Sequence, residues 1–407
     1  MERPQHEPLK PAVRWLVATF AGATTGSAFA SLFVNLFIFV VTRQLTQLAI
    51  FSAAYFFSLT FVFYGAAYLF RQASPLAPYR WGLVLSAGFY GSLVLLANHA
   101  AHVLVWLGLY QGIGQGFFWF GANLMTFDTV PADQRIRFYG INSAVGSIVG
   151  VAGPLAGGLV VSAVPGIRGY LLVFLISLGI YALTFAMSLK VPPGPPLGHS
   201  PARLSLDLPR TVPLWKSAFQ TLMVRGTREA TAGLAGVYLV YLATRNAWAV
   251  GVYGAVSAVA RMLGAVGVAR QVTPGRRVRA MAAGVAGMTL AAAVLLVGRG
   301  WPFVFGYGLL TAFAMPWFTI PNEAIPLDVM DRDPRVAERR VAYMLSREIG
   351  LNVGRLAGLG ALLAAEAGLP PTTALIALLM LTSGAQSWVT ATGRRIWGTL
   401  ALAGDRR

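Results

Sequence analysis

Long apolar segments separated by short polar ones form the dominant pattern of this chain. Mostly apolar stretches of about 18 to 25 residues recur along nearly the whole sequence, long enough for an α-helix to cross a hydrocarbon layer of about 30 Å. Transmembrane strands would instead alternate apolar and polar residues at every second position. The pattern therefore predicts an all-α membrane protein.

Twelve membrane spans are predicted, six on each side of a proline-rich segment. The first six are 16–40, 48–70, 81–98, 102–126, 140–163 and 169–189, and the second six are 217–242, 246–269, 280–298, 302–326, 342–367 and 371–391. Residues 190–213 contain seven prolines, so we expect a linker without regular helix. The expected organisation is an N-terminal six-helix bundle (1–189), this linker (190–213) and a C-terminal six-helix bundle (214–407).

An internal repeat indicates that the two halves are related. The segment at Trp119 reads WFGANLMTFDTV, and a diverged copy at Trp317 reads WFTIPNEAIPLDV. In both copies a polar loop with arginines follows, and then an apolar segment that opens with small residues. The matched pairs are Trp119 and Trp317, Asn123 and Asn322, Asp128 and Asp328, Tyr139 and Tyr343, Gly146 and Gly350, and Gly150 and Gly354. The repeat predicts two pseudo-symmetric six-helix bundles.

Composition agrees with membrane insertion, and the charge distribution predicts an orientation. Of the 407 residues, 56% are hydrophobic and 11% charged, and the mean hydropathy is +0.64. If the N-terminus is cytoplasmic, 23 of the 32 Lys and Arg residues fall in cytoplasmic segments and 4 in the opposite loops. This asymmetry follows the positive-inside rule, so we expect both termini in the cytoplasm. It also accounts for the net charge of +18 without a nucleic-acid partner.

Several kinds of chemistry are missing from the sequence. The chain has no cysteine, which excludes disulfides, thiolate metal sites and thiol catalysis. It also has no nucleotide-binding glycine-rich loop, which argues against ATP-driven transport by this chain. We therefore expect neither a cofactor nor a metal.

The predicted fifth span carries a stripe of small residues. Its members are Gly146, Gly150, Gly153 and Gly157, with Pro154 and Gly158 beside them. Glycines let two helix backbones approach closely, and a proline removes one backbone hydrogen bond. The segment GVAGPLAGG resembles the G-x-x-x-G-P-x-x-G-G signature that proton-coupled antiporters of the major facilitator superfamily carry in their fifth span.

This resemblance implies twelve spans in two halves, cytoplasmic termini and proton-coupled movement of a small molecule. It assigns a conformational role to Gly150, Gly153, Pro154, Gly157 and Gly158.

A second signature of the superfamily, a glycine-rich loop with an Asp and several arginines after the second span, is incomplete here. Gly65, Arg71 and Arg80 are kept but the Asp is missing, and the counterpart at 267–277 lacks it too. Asp128 and Asp328, at the ends of spans four and ten, are therefore candidates to pair with these arginines. Solvated loop charges remain the alternative for Asp328.

Charged residues lie deep inside the second half. Glu229 is near the predicted midplane of span seven, with Arg225 one turn away and Arg228 on the same side, which predicts one charged patch. Ionisable groups at this depth are costly and usually face a bundle interior or cavity. Burial disfavours the charged carboxylate and the arginines favour it, so Glu229 is the predicted proton-coupling residue. A fixed ion pair with Arg225 is the alternative.

Span eleven repeats this arrangement with Glu348, Asn352 and Arg355 on one helix face, and Glu348 is the second proton-coupling candidate. The surplus of arginine in the second half suits an anionic substrate, although arginines near helix ends also snorkel. Polar residues of spans one and four line a substrate path or pack between helices. The predicted substrate-binding residues are Asn35, Gln111, Gln115, Trp119, Arg225, Arg228, Asn352 and Arg355.

Together these features predict a secondary transporter that exports a small molecule, coupled to protons, by rocking its two halves. The alternatives are proton-coupled uptake of an organic anion, a transport-dead sensor or scaffold, and an integral membrane enzyme. An enzyme would need a clustered nucleophile or acid–base set, which the sequence lacks. The expected partners are the substrate, protons and the lipid bilayer, with a monomer in a prokaryotic cytoplasmic membrane.

Overall fold

A computed structural model describes residues 10–130, 134–196 and 204–404. Within these ranges the chain forms thirteen α-helices and no strand, so the all-α prediction is confirmed. The helices are α1 (Pro11–Thr42), α2 (Leu45–Leu69), α3 (Leu76–Leu96), α4 (Leu104–Thr129), α5 (Arg135–Ala163), α6 (Ile167–Ser188), α7 (Leu204–Thr211), α8 (Pro213–Thr244), α9 (Ala247–Gln271), α10 (Arg277–Val297), α11 (Trp301–Met330), α12 (Val336–Glu366) and α13 (Pro371–Gly404).

Each predicted span corresponds to one long helix. Within the described residues, 10 helical segments are long and apolar enough to cross a membrane. The helices α4 and α8 are as long, but glutamines in α4 and the charged residues of α8 lower their hydropathy. Many large apolar side chains, such as Phe61, Trp106 and Leu296, are exposed on the helices. Such an apolar surface is typical of contact with lipid.

The prediction that 190–213 contains no regular helix is wrong for its second part. Residues Leu204–Thr211 form the eight-residue helix α7, although Pro209 removes a backbone donor within it. The side chain of Leu208 is fully buried, and α7 packs on α8 and α12. Burial against these helices stabilises α7 in spite of its proline.

The helices before and after the linker pack in matching patterns. In the first set, α1 packs on α5 and α6, α4 packs on α2 and α3, and α3 packs on α6. In the second set, α8 packs on α12 and α13, α11 packs on α9 and α10, and α10 packs on α13. The main contacts between the sets are those of α5 with α9 and of α2 with α12. These two contacts correspond to each other when the halves are exchanged.

The ends of α1 and α8 show a further match that lies outside the repeat found in the sequence. Arg43 and Arg245 follow these helices in the left-handed conformation, with φ of 59° and 52°. The N–H of each donates to a carbonyl of the last helical turn, at 2.7 and 2.8 Å. Thr42 and Thr244 each donate their hydroxyl to the carbonyl four residues earlier. The two halves therefore end their first helices by the same local structure.

Contacts at the helix ends define two faces of the molecule. At one face, Arg80 Nη2 donates to the carbonyl of Ser188 at 2.8 Å and to that of Val191 at 3.4 Å. These two hydrogen bonds join the start of α3 to the end of α6. Next to it, the ammonium of Lys190 lies 4.2 Å from the centre of the Trp15 ring. We call this face the linker end.

The opposite face, which we call the distal end, is closed between the two sets. Thr46 of α2 donates to Glu366 Oε2 of α12 at 2.6 Å. The rings of Phe39 and Tyr238 meet edge to face across α1 and α8, with centroids 5.0 Å apart. Polar and aromatic contacts therefore join the sets at this end.

Candidate functional site

A cavity of about 510 Å³ lies between the two helix sets. We call it the central cavity. Its wall in the first set is mostly aromatic and consists of Tyr55, Phe56, Leu59, Phe63, Trp119 and Asn123. Its wall in the second set is charged and consists of Glu229, Arg347, Glu348 and Arg355. A neighbouring cavity of about 250 Å³ shares Asn123 and Arg347 with it.

Glu229 holds two arginines from different helices. Its Oε1 accepts from Nε of Arg225, one turn earlier in α8, at 2.6 Å. Its Oε2 accepts from Nη2 of Arg355 in α12 at 2.7 Å. The Glu229 side chain is only 15% exposed, so these pairs lie in a low-dielectric region where unpaired charges are costly. The ion pairs of Glu229 therefore connect α8 to α12.

Glu323 of α11 extends this network. It forms one ion pair with Arg225 and another with Arg347, whose Nη2 lies 2.6 Å from its Oε2. Arg347 also lies 3.3 Å from Oε1 of the adjacent Glu348. Arg225 thus bridges Glu229 and Glu323, and Arg347 bridges Glu323 and Glu348. Together the side chains form one chain of alternating charge, in the order Glu348, Arg347, Glu323, Arg225, Glu229 and Arg355.

This alternating chain, which we call the charge network, contains as many acids as arginines. The surplus of positive charge expected from the sequence is therefore absent from the network itself. Two asparagines support it from the same helices. Arg355 Nη1 donates to Oδ1 of Asn352 at 2.7 Å, and Arg225 Nη1 lies 3.5 Å from Oδ1 of Asn322. Both asparagine side chains are fully buried.

Only one of the predicted substrate-binding residues in the first half lines the central cavity. Trp119 is half exposed and lines this cavity. Gln115 instead donates to the hydroxyl of Ser86 at 3.4 Å, which places it between α4 and α3. Asn35 and Gln111 are half-buried and lie outside the lining of this cavity. Of the residues predicted to form a substrate path along spans one and four, Trp119 is therefore the one that lines this cavity.

Arg228 does not join the patch in which the sequence placed it. The structure shows no ion pair between Arg228 and Glu229, although the two residues are adjacent. Arg228 Nε donates instead to the hydroxyl of Ser383 in α13, at 3.1 Å. The expectation of one patch from Arg225, Arg228 and Glu229 is therefore wrong. Successive residues of a helix are separated by about 100°, which lets Arg228 point to a different helix pair.

The glycine stripe of α5 packs against α1. A methyl group added at Gly153 would lie 2.8 Å from the carbonyl carbon of Ala28, and one added at Gly157 would lie 2.7 Å from the carbonyl oxygen of Phe29. These two glycines therefore allow close contact of helix backbones within the first set. Gly150 is different, because a methyl group there would meet only Ala258, at 3.8 Å.

Pro154 and Gly158 form the contact of α5 with α9, across the two sets. A methyl group added at Gly251 of α9 would lie 2.5 Å from the carbonyl oxygen of Pro154 and 3.1 Å from Cα of Gly158. Nearer the linker end, a methyl group on Gly146 would have no neighbour within 4 Å. The helices α5 and α9 therefore touch in the distal half and separate toward the linker end.

Of the two acidic residues at the ends of spans four and ten, the structure describes the side chain of Asp328. Asp328 pairs with Arg277, the first residue of α10, with Oδ2 2.7 Å from Nη1, and also accepts from Nε1 of Trp397 at 2.8 Å. The pairing of Asp328 with an arginine of the segment 267–277, considered from the sequence, is therefore present. The side chain of Asp128 lies outside the described residues.

A second acid at this end, Asp333, belongs to the loop between α11 and α12. Burial opposes its charge, but the backbone N–H of Arg335, the hydroxyl of Tyr343 and the guanidinium of Arg339 outweigh it and lower the pKa of Asp333. At pH values above the ordinary pKa of an aspartate, these contacts stabilise the loop. The stabilisation is lost as the pH falls through the lowered pKa of Asp333.

Sequence reasoning missed Glu323 and Arg347. The predicted tenth span ended at residue 326, which left Glu323 near its boundary, whereas α11 continues to Met330 through Pro321 and Pro326. Glu323 thus lies almost two turns inside the helix. The signal that could have identified it is an acid between two prolines within an otherwise apolar span. Arg347 lies within a predicted span, but its partner Glu323 belongs to a different helix, and the sequence does not show which helices are neighbours.

Comparisons with known proteins identify relatives of this chain. The chain is 26% identical over 361 residues to the uncharacterized protein YqgE of Bacillus subtilis (strain 168), covering 87% of this chain and 84% of that protein. It is 30% identical over 150 residues to an uncharacterized protein in the sodM 3'region of Geobacillus stearothermophilus, covering 37% of this chain and 70% of that protein.

The fold is shared with a solved transporter structure. A bacterial homologue of the iron transporter ferroportin in an inward-facing state superposes with a TM-score of 0.71 at 13% identity, covering 96% of this chain and 99% of that one. The sequence profile of the Major Facilitator Superfamily matches residues 76–245. This match covers less than half of the chain, and it shows that residues 76–245 are similar to the major facilitator superfamily.

Proposed function

We propose that this protein is a secondary transporter that moves a small molecule across a membrane by alternating access. The observation that carries this proposal is the central cavity, which lies between two helix sets of matching packing and contains a charge network. Transporters of this kind bind their substrate at the interface of two repeats and rock one repeat against the other. The match of residues 76–245 to a transporter superfamily supports the same proposal.

The two helix sets are proposed to be the two pseudo-symmetric six-helix bundles, at 1–189 and 214–407, joined by the linker at 190–213. Their matching contact pairs and the matching ends of α1 and α8 support this division. In this proposal α4 and α8 also cross the membrane. Their polar residues are tolerated because they face other helices or a cavity instead of lipid.

Proton coupling is proposed to reside in the charge network, with Glu229 as the principal group and Glu348 as the second. Glu229 lines the central cavity and joins α8 to α12 through two arginines. Protonation of its carboxyl would weaken both ion pairs at once. A proton arriving through the cavity can thereby change the contact between two helices that must move relative to their neighbours.

Two directions of transport are proposed. Export in exchange for protons is the first, because the α5 segment GVAGPLAGG resembles the antiporter signature and because Pro154 and Gly158 take part in one of the contacts between the sets. Proton-coupled uptake of an organic anion is the second. It is favoured by the arginines of the second half that lie outside the charge network, because the network itself has no net charge. The protein is proposed to act as a monomer in a prokaryotic cytoplasmic membrane.

The topology proposal places the linker end in the cytoplasm. Because the chain has no cysteine, single cysteines report on accessibility without a background. We expect Pro195→Cys, at an exposed linker position, to react with a membrane-impermeant maleimide only after the cells are opened. His99→Cys, exposed between α3 and α4, is the matched control and should react in intact cells. The reverse pattern would contradict the orientation.

Transport itself is tested by flux. The purified protein is reconstituted into liposomes containing a pH-sensitive dye, and compounds that raise its melting temperature in a thermal-shift screen are added outside. We expect at least one compound to change the internal pH in protein-containing liposomes and not in empty ones. A rise in internal proton concentration on addition indicates cotransport, and a fall indicates exchange. Accumulation of no stabilising compound, with or without a pH gradient, would favour a sensor or scaffold.

A further inference from the structure

A separate cavity of about 480 Å³ lies within the second helix set. Residues of α8, α9 and α11 line it, together with Leu32 of α1. Glu229 lines both this cavity and the central cavity, so the two are neighbours. We call it the inner cavity. Its volume is within the range of about 300 to 1,000 Å³ that small-molecule sites usually have.

Arg228 provides the inner cavity with a cationic donor that the protein leaves unused. Its side chain is 4% exposed, and its Nη2 is buried without a hydrogen-bond partner. Its Nε donates to the hydroxyl of Ser383 at 3.1 Å. A buried charged group that lacks partners destabilises a fold, so native structures rarely keep one without a use. A ligand with acceptor oxygens would complete its hydrogen bonding.

The charges around the inner cavity favour an anion. Arg228 and Arg261 both line it. Among the described residues, the acid that lines it is Glu229, whose two oxygens already accept from Arg225 and Arg355. The negative charge of Glu229 is therefore compensated inside the charge network, whereas the two arginines of the inner cavity have no carboxylate partner in the described part of the chain.

Hydroxyl groups complete the lining. The lining includes Tyr253 and Ser257 of α9 and Tyr307 and Thr311 of α11. Each hydroxyl can donate to an oxyanion or accept from a hydroxyl of a ligand. The same helices contribute apolar surface through Ala312 and other small residues. This combination suits a small organic compound with one anionic end.

We propose that the inner cavity binds a small organic anion, whose carboxylate or phosphate is held by Arg228 with Arg261 as the second cation. Guanidinium groups hold such oxyanions by paired, charge-assisted hydrogen bonds. The proposal rests on the proposed transport function and names the substrate class for it. It places the anionic end of the substrate beside Glu229, the member of the charge network that lines both cavities.

The probes for this site are sulfate and succinate. Each is added to the purified full-length protein in a neutral detergent, at constant ionic strength with chloride as the baseline anion. We expect at least one of them to raise the melting temperature in a saturable way. In Arg228→Met the apparent Kd for that anion should rise about 10-fold or more, because hydrogen bonds to a charged group contribute about 1.5 to 3 kcal/mol.

The melting temperature of the anion-free protein separates binding from a structural role. Arg228→Met removes an uncompensated buried charge, so we expect the anion-free variant to melt at the same temperature as the parent or higher. Arg270→Met, on α9 but outside the cavity lining, is the matched control and should keep the anion effect. An anion-free variant that melts lower while its anion effect persists would overturn the proposal.

Two further outcomes would contradict the proposed anion site. Stabilisation by phosphatidylglycerol in mixed micelles, with none from either soluble anion, would overturn the proposal because the occupant would be a lipid headgroup. No saturable rise with any of the three would overturn it as well. These measurements need no flux, so anion binding without transport would count against the transport function alone. Flux of a compound that lacks an anionic group would count against the inferred substrate class alone.

Discussion

Glu229→Gln is expected to abolish proton-driven accumulation while the protein still folds and binds its substrate. The amide cannot exchange a proton, so the cycle loses the step that couples it to the gradient. The fold should survive because neither arginine loses all its partners. Arg225 keeps its ion pair with Glu323, and Arg355 keeps Oδ1 of Asn352 at 2.7 Å. The loss of stability should therefore fall below the roughly 3 to 5 kcal/mol that breaking a buried pair costs.

The measurement compares accumulation under a proton gradient with exchange at equal pH in proteoliposomes. Exchange should persist in Glu229→Gln, because it does not need net proton movement. Glu366→Gln is the matched control, since it makes the same chemical change at the distal end, where Glu366 accepts from Thr46. That variant should keep accumulation. Normal accumulation by Glu229→Gln would rule out the coupling role, and a variant that no longer folds would show that the ion pairs are structural.

Gly251→Leu is expected to hold the protein open at its distal end. The contact of α5 with α9 is so close that even a methyl group at Gly251 would lie 2.5 Å from the carbonyl oxygen of Pro154. A leucine would force the two sets apart there. Overpacking typically costs about 1 to 3 kcal/mol, enough to change the ratio of two conformations about 5- to 150-fold. Transport should fall by a comparable factor, because the distal end must close in every cycle.

The reporter for this effect is Thr46→Cys, which lies at the closed distal end in contact with Glu366. A membrane-impermeant maleimide should label it faster in the Gly251→Leu background than in the parent. Gly360→Leu on α12 is the control, because a methyl group there would have no neighbour within 4 Å, and it should leave labelling and transport unchanged. Equal labelling rates in Gly251→Leu and the parent would show that this contact does not gate the distal end.

The variants Glu229→Gln and Gly251→Leu change different interactions. Glu229→Gln changes the charge of a group inside the second set, whereas Gly251→Leu changes the distance between the sets. Gly153→Leu would change the packing within one set, because Gly153 contacts α1 of the same set. A loss of folded protein is expected from Gly153→Leu and a shift of conformation from Gly251→Leu, although both positions belong to glycine contacts of α5.

The positions of the long helices could be predicted from the sequence. A helix in lipid must satisfy its backbone internally and present apolar side chains for about 20 residues, so its signal is local and continuous. Every predicted span therefore corresponds to a helix, including α4 and α8, whose polar residues weaken the signal. The helix α7 could not be predicted in this way, because burial of Leu208 against other helices stabilises it.

Which charges meet was decided by the tertiary structure. Helical periodicity identified Arg225 with Glu229 because they are one turn apart on one helix. It could not show that Arg355 and Glu323 complete the network, since those contacts join residues far apart in the sequence. It also placed Arg228 in the wrong group, because the position of the neighbouring helices determines where each face points. The sequence by itself determined the spans and the deep charges. Helix packing alone decided which charges form ion pairs, and it directed Arg228 to the hydroxyl of Ser383 instead of to an acid.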